Sequence, residues 1–209
     1  MIELYAIAEH PGPPLPSLAP LHAVPAGGLA AICAPAEDRE VTPETLWRHE
    51  QVVEALMEDR DLLPVRFGTR LDDDAAVARS VAERRVELEC ALERVRGAVE
   101  LSVRAVLAEP GEPAAPEDGS GADYLRAKRR AGAAQEAVAS AVHAPLAALA
   151  RAHALRPPRP PAEALRAAYL VDRGAVGGFA RLVARLDERH PELRLLCTGP
   201  WPPYSFAER

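Results

Sequence analysis

The chain has 209 residues, 48% hydrophobic and 27% charged, enough to bury a sizeable core in one large or two small domains. A formal net charge of −6 gives it none of the basic excess on which phosphate binding depends, so a free nucleic-acid binder is not expected. Three scattered cysteines (Cys33, Cys90, Cys197) read as buried thiols of a reducing cytoplasm, without a disulfide framework or zinc spacing.

The N-terminal "MIELYAIAEHPG" has no basic segment and carries Glu3 inside its apolar run, so it does not read as a signal peptide. No run approaches the ~18 apolar residues of a membrane span. Residues 2–8 alternate as a strand. The proline-rich "HPGPPLPSLAP" follows, then a hairpin around Gly27 and Gly28 with a strand over 28–34. Thr42, Pro43 and Glu44 form a helix start, and the helix over 43–58 is expected to bury Leu46, Val53 and Met57. In "LLPVRFGT", alternation predicts a strand with Leu63, Val65 and Phe67 on one face and Pro64 and Arg66 on the other, ending at Gly68. Arg66 is expected to act as a structural clamp on a carboxylate or on main-chain carbonyls.

A second helix is predicted over 73–96 from Val77, Val81, Leu88, Leu92 and Val95, and Gly97 stops it. Residues 98–108 form the clearest strand, and "EPGEPAAPEDGSG" (109–121) is a loop by composition. A long Ala-rich helix is expected over about 122–155, kinked or split at Pro145. "RPPRPPAE" interrupts the chain. A strand over 164–172, a helix over 175–189 with Phe179, Leu182, Val183 and Leu186 inward, and a strand over 193–199 complete the series. The fold class is α+β in two small domains: a ferredoxin-like unit over 1–97, and an α+β unit over 98–209 with the long helix and an aromatic tail from 197 to 209.

Chemistry is sparse. The six histidines show no metal-ligand spacing, and they read as surface or capping residues. His49 and Glu50, an acid–base pair at most, read as a solvated helix face. Gly174, Gly177 and Gly178 stand between strand and helix where a phosphate turn would be, but they match neither dinucleotide nor P-loop spacing. A tight, closely packed turn is the plainer reading. "RAKRR" (126–130) is a solvated basic cluster. No nucleophile elbow, reactive CxxC or carboxylate dyad occurs, so no catalytic, cofactor or metal residue is assigned. Trp201, Tyr204 and Phe206, among Pro200, Pro202 and Pro203 after Gly199, make a stiff extended tail that cannot be a helix. It either folds back over a core or presents anchors to a partner, and folding back is the expectation.

"LYAIAEH", "RHEQVVEALMEDRDLLPVRFGTRLDD", "VELSVRAV" and "LLCTGPWPPYSFAE", in this order and spacing, resemble the gas vesicle protein F/L family. The fold signature is Pro64, Arg66, Phe67 and Gly68 with Gly199, Pro200, Trp201, Pro202, Pro203, Tyr204 and Phe206. The Pro/Ala-rich segments 109–121 and 156–162 depart from the pattern. The resemblance implies a cytoplasmic accessory protein of gas vesicle assembly without catalytic residues. It would bind the small hydrophobic shell protein, expected through the N-terminal domain, and other accessory proteins, to nucleate or chaperone the shell. The alternatives are a minor structural component of the vesicle wall, or a small-ligand protein or enzyme with a pocket near Gly174–Gly178. F-type and L-type members are not separated by these residues.

Overall fold

The computed structural model describes residues 1–36, 41–108, 137, 139–158 and 163–207. The basic cluster at 126–130, the loop at 109–121 and the expected helix from 122 to 136 lie outside them. The chain divides into two compact units, Met1–Glu100 with Trp201–Arg209, and Leu101–Pro200. Both carry antiparallel sheets in a mixed α+β fold.

In the first unit the strands are β1 (Ile2–Glu9), β2 (His22–Ala26), β3 (Leu29–Pro35), β4 (Leu62–Pro64) and the short β5 (Arg70–Leu71). Their order is β2-β3-β1-β4, with β5 also on β1. The β2–β3 hairpin turns on Gly27 and Gly28, at φ 63° and 91°, values that side chains with a Cβ resist. Central strands β1 and β3 are buried almost throughout, so both faces of this sheet are covered. On one side lies helix α1 (Pro43–Met57), whose His49 meets Glu3 of β1. On the other lies α2 (Asp74–Glu83), whose Asp74 meets His22 of β2. Glu3 pairs with Ala34, His22 with Cys33, and neighbouring β3 positions point to opposite faces.

The proline-rich segment stands where a crossover helix would join β1 to β2. Prolines supply carbonyls without N–H groups, so they cannot form a helical ladder and need outside donors. Arg60, just beyond α1, supplies them, donating to the Pro13 carbonyl at 3.3 Å and the Pro14 carbonyl at 2.8 Å.

Two elements differ from the sequence reading. The helix expected over 73–96 is two, α2 and α3 (Arg85–Val95), because Arg84 leaves helical geometry at φ −104°, ψ 13°. Apolar periodicity continues across the break, so the pattern hides it. In α1, Leu46 is 42% exposed, and the buried stripe is His49, Val52, Val53, Leu56 and Met57. Of the cysteines Cys33 is buried, but Cys90 is exposed. Burial, and secondarily Asp74, pushes the Cys33 thiol up to about 12.

The second unit holds β6 (Ala98–Leu107, which begins in the first unit), helix α4 over 139–149, β7 (Ala152–Leu155), β8 (Glu163–Asp172), α5 (Val176–Arg189) and β9 (Leu193–Trp201). The sheet order β7-β8-β6-β9 repeats that of the first unit, counted from each unit's own first strand. Here helical segments occur in both crossovers, a complete β-α-β-β-α-β succession. Residues 152–155 are strand rather than the end of a long helix, and residues 139–149 pass through Pro145 without interruption. The core joins Leu101 and Val103 of β6, Val142 and Leu146 of α4, Tyr169 of β8, and Phe179, Val183 and Leu186 of α5. The α5 face is the one its apolar spacing predicts.

Candidate functional site

Glu3 and His49, 7% and 2% exposed, are with Glu100 the buried charged or titratable polar side chains of the first unit. Helix α1 brings His49 there. Thr42 and Thr45 cap each other's backbone at the helix start, with Pro43 in the first turn, where its missing N–H costs nothing. From that start, position 49 falls on the buried stripe with Val52, Val53 and Leu56. A bulge in β1 between Leu4 and Ala6 turns Tyr5 onto the His49 ring, stacked at 4.6 Å and 17°.

The LPVRFGT segment closes the other side. Only Leu62–Pro64 is strand, so the expected alternation through Phe67 does not form. Pro64 pairs with Ala6, and Val65 donates its N–H to the Tyr5 carbonyl at 2.9 Å. The chain then turns at Gly68, φ 81°, and Thr69 donates both its N–H and its hydroxyl to the Arg66 carbonyl. Phe67 is set edge-on against His49, with centroids 5.6 Å apart at 82°. The Arg66 side chain is exposed.

His49 Nε2 lies 2.8 Å from the Val65 carbonyl. A carbonyl only accepts, so Nε2 carries the hydrogen. In the neutral ring Nδ1 is then an acceptor. It faces Glu3 Oε1 at 3.6 Å, and both atoms are buried without a hydrogen-bond partner. Glu3 and His49 are among the residues lining a cleft of about 90 Å³, with Tyr5, Phe67, Arg48 and Arg70. Arg70 stands directly opposite Glu3 in the β1–β5 pairing.

His49 is therefore neither a surface nor a capping histidine. Its signal was present in the sequence: the 49, 52, 53, 56 spacing, and Glu3 set within an apolar strand. Pairing it with its neighbour Glu50 obscured this. Among the described residues no group of three or more His, Cys, Asp or Glu is placed to hold a metal.

The tail signature is assembled elsewhere in the same unit. Gly199 sits at φ 120°, a glycine conformation, before Pro200 and the half-exposed Trp201. Pro202 and Pro203 are buried. Tyr204–Ala207 then forms a single helical turn, α6, contrary to the expectation that this tail cannot be helical. Its prolines lie outside that turn, where their missing N–H groups cost nothing. Phe206 is buried, so the tail folds back, packing against α3 and β4. Buried Glu100 accepts the Ser205 N–H and hydroxyl, each at 2.8 Å. Burial and the nearby Glu50 carboxylate push the Tyr204 phenol up.

The glycines at the second unit's strand-to-helix junction are not brought to the Glu3–His49 cleft. Gly174, Gly177 and Gly178 all have ordinary φ, in a 3-10 turn and the start of α5. A Cβ on Gly174 would meet nothing within 4 Å, so close packing does not explain it.

The sequence profile described as "Gas vesicle synthesis protein GvpL/GvpF" matches residues 3–208. The chain is 36% identical to a gas vesicle protein L of Streptomyces sp., over 88% of this chain and 77% of that protein. It is 32% identical to a gas vesicle protein F from the same source, over 98% of each. The crystal structure of GvpF from Anabaena sp. superposes with a TM-score of 0.84 at 20% identity, covering 100% of this chain and 97% of that one. GvpF from Microcystis aeruginosa gives 0.83 at 19%, covering 100% and 99%. By the family match along nearly its whole length, and with a fold that agrees, this chain belongs to the GvpL/GvpF family of gas vesicle synthesis proteins.

Proposed function

We propose that the protein is an accessory factor of gas vesicle assembly, acting in the cytoplasm. It binds the small hydrophobic shell protein, with other accessory proteins as further partners. The family match over residues 3–208 carries this reading. The surface of the first unit supports it. Val41, Leu46 and Trp47, at and just before the start of α1, are 75%, 42% and 66% exposed. Apolar side chains this open, so close in sequence, suit a partner that exposes apolar surface of its own before it assembles. The net charge of −6 keeps such a complex soluble.

We place shell binding on the first unit and treat the two units as separate domains. A fragment ending near residue 97 omits Glu100 and the 201–209 tail, so the full chain is the reagent. Co-expression of the tagged full chain with the shell protein should retain the shell protein on the affinity resin. Loss of retention in a Trp47→Ser protein that melts normally would support the α1 surface. No retention by the folded wild-type chain under any salt condition would sink the proposal.

A further inference from the structure

We propose that one end of the second unit's sheet, on the face turned away from α4 and α5, is a docking surface for an acidic segment of a protein partner. Along β6, β8 and β9 the core residues alternate: Val103 and Ala105, Leu165 and Ala167, Leu193 and Leu195. The intervening Arg104, Arg166 and Arg194 therefore project from the opposite face. Arg156 joins them, because its N–H donates to the Arg166 carbonyl at 2.9 Å directly across from it. All four stand at the same end of the sheet. There the Ala108 N–H, just past β6, donates to the Glu192 carbonyl, just before β9, at 2.9 Å. Arg104 likewise lies 3.9 Å from Glu163, the first residue of β8. Each strand, or the residue next to it, gives one arginine to a row across the sheet, roughly 14 Å long at about 4.8 Å per strand.

Arg104, Arg156 and Arg194 are exposed, and Arg166 is half-buried. Like charges on neighbouring strands repel. Glu163 offsets Arg104, while Glu192 at the same end bonds His190 at 3.0 Å. The second unit has 14 Lys and Arg against 11 Asp and Glu, in a chain whose totals are 25 and 31, so its positive excess is local. The row's chemistry selects the guest. All four cations are arginines, whose planar forks hold carboxylates through paired hydrogen bonds. Leu196, 53% exposed on the same face, offers an aliphatic seat among the arginine stems. A single-stranded nucleic acid would seek aromatic rings for its bases, and the described residues at this end of the face supply none. A segment of glutamates or aspartates with interspersed leucines meets the charge and the apolar seat together. This surface is on the second unit, so the inference is independent of the shell-protein reading of α1.

The test titrates full-length protein into a fluorescein-labelled peptide amide, Glu-Glu-Leu-Glu-Glu-Leu-Glu-Glu, at physiological ionic strength, with anisotropy as the readout. Binding should be saturable, and a peptide with Gln in place of every Glu should bind at least ten-fold more weakly. Arg194→Glu, at an exposed position, should weaken binding at least five-fold. Arg166→Ala combined with Arg194→Ala should do the same, and the single Arg194 change stands in if that pair does not fold. Arg181→Glu, equally exposed but on α5, should leave binding within two-fold. No saturable binding by the wild-type protein, equal binding of the Gln peptide, or an equal loss from Arg181→Glu overturns the surface. Tighter binding of an oligothymidylate of equal charge, or of phosphatidylglycerol vesicles, through the same arginines overturns the assignment to a protein partner.

Discussion

Glu100, in β6, holds Ser205, in the C-terminal turn, with both carboxylate oxygens: one takes the main-chain N–H, the other the hydroxyl, each at 2.8 Å. The residues are 105 positions apart in sequence, and both belong to the first compact unit. Charge-assisted bonds at a buried carboxylate stabilise more than neutral ones. Glu100→Ala should therefore cost about 2–4 kcal/mol and lower Tm by roughly 5–15 °C. Glu100→Gln keeps one acceptor oxygen and should cost less. In a Trp47→Ser background, where tryptophan fluorescence reports Trp201 alone, the Ala variant should show greater solvent exposure. Unchanged melting would mean that Glu100 does not secure the tail.

Gly68 tests the turn after β4. Its φ is 81°, and a Cβ there would meet nothing within 4 Å. The cost of a side chain is then conformational, not steric contact with neighbours. Gly68→Ala should destabilise by about 1–2 kcal/mol, and Gly68→Asn by less, since Asn tolerates the left-handed region. Chemical denaturation of the pair would show it. Equal losses would point to a role for Gly68 beyond its φ.

A pH dependence is expected in the second unit. His143 Nδ1 lies 2.8 Å from the Tyr169 hydroxyl, and its ring meets His153 edge-on at 4.7 Å. Burial and then His153 hold the His143 pKa below its ordinary value. Burial chiefly pushes the Tyr169 phenol up, so the hydroxyl keeps its proton and donates to a neutral His143. As pH falls through about 6.5 the unfolded chain takes up a proton that the folded chain resists, so stability falls. The contribution is complete above that pH and is lost progressively below it. Melting between pH 7.5 and 5.5 should show a drop that His143→Gln reduces.

Trp47 separates binding from stability. At 66% exposure it contributes little to the core, so Trp47→Ser should change stability by less than about 0.5 kcal/mol. If α1 meets the shell protein, the same change should weaken retention at least ten-fold.

Much of the architecture follows from simple periodicity. Alternation marks β1 and β6, and the i, i+3, i+4, i+7 pattern places the inward face of α5 with its buried Phe179, Val183 and Leu186. Periodicity fails where two local rules conflict. Leu63, Val65 and Phe67 alternate like a strand, yet Gly68 imposes a turn, and Phe67 is needed against His49 rather than in a ladder. Arg84 interrupts a helix whose apolar spacing continues beyond it. The buried Glu3–His49 pair was the least legible, because a histidine beside a glutamate on a helix looks like a solvated face. Only the core stripe at 49, 52, 53 and 56 reveals its direction, and only the β1 bulge brings Tyr5 onto it.

The return of Trp201–Arg209 to the first unit also orders events during synthesis. A ribosome making about 5–20 residues per second releases the first sheet many seconds before Ser205 exists. Throughout that interval Glu100 lacks the two donors that Ser205 brings it, and the place of buried Phe206 against α3 and β4 is unfilled. The N-terminal unit is thus completed only after the whole second unit has been made. A chain broken off anywhere in the second half would carry an incomplete first unit, a defect that chaperones and proteases can read.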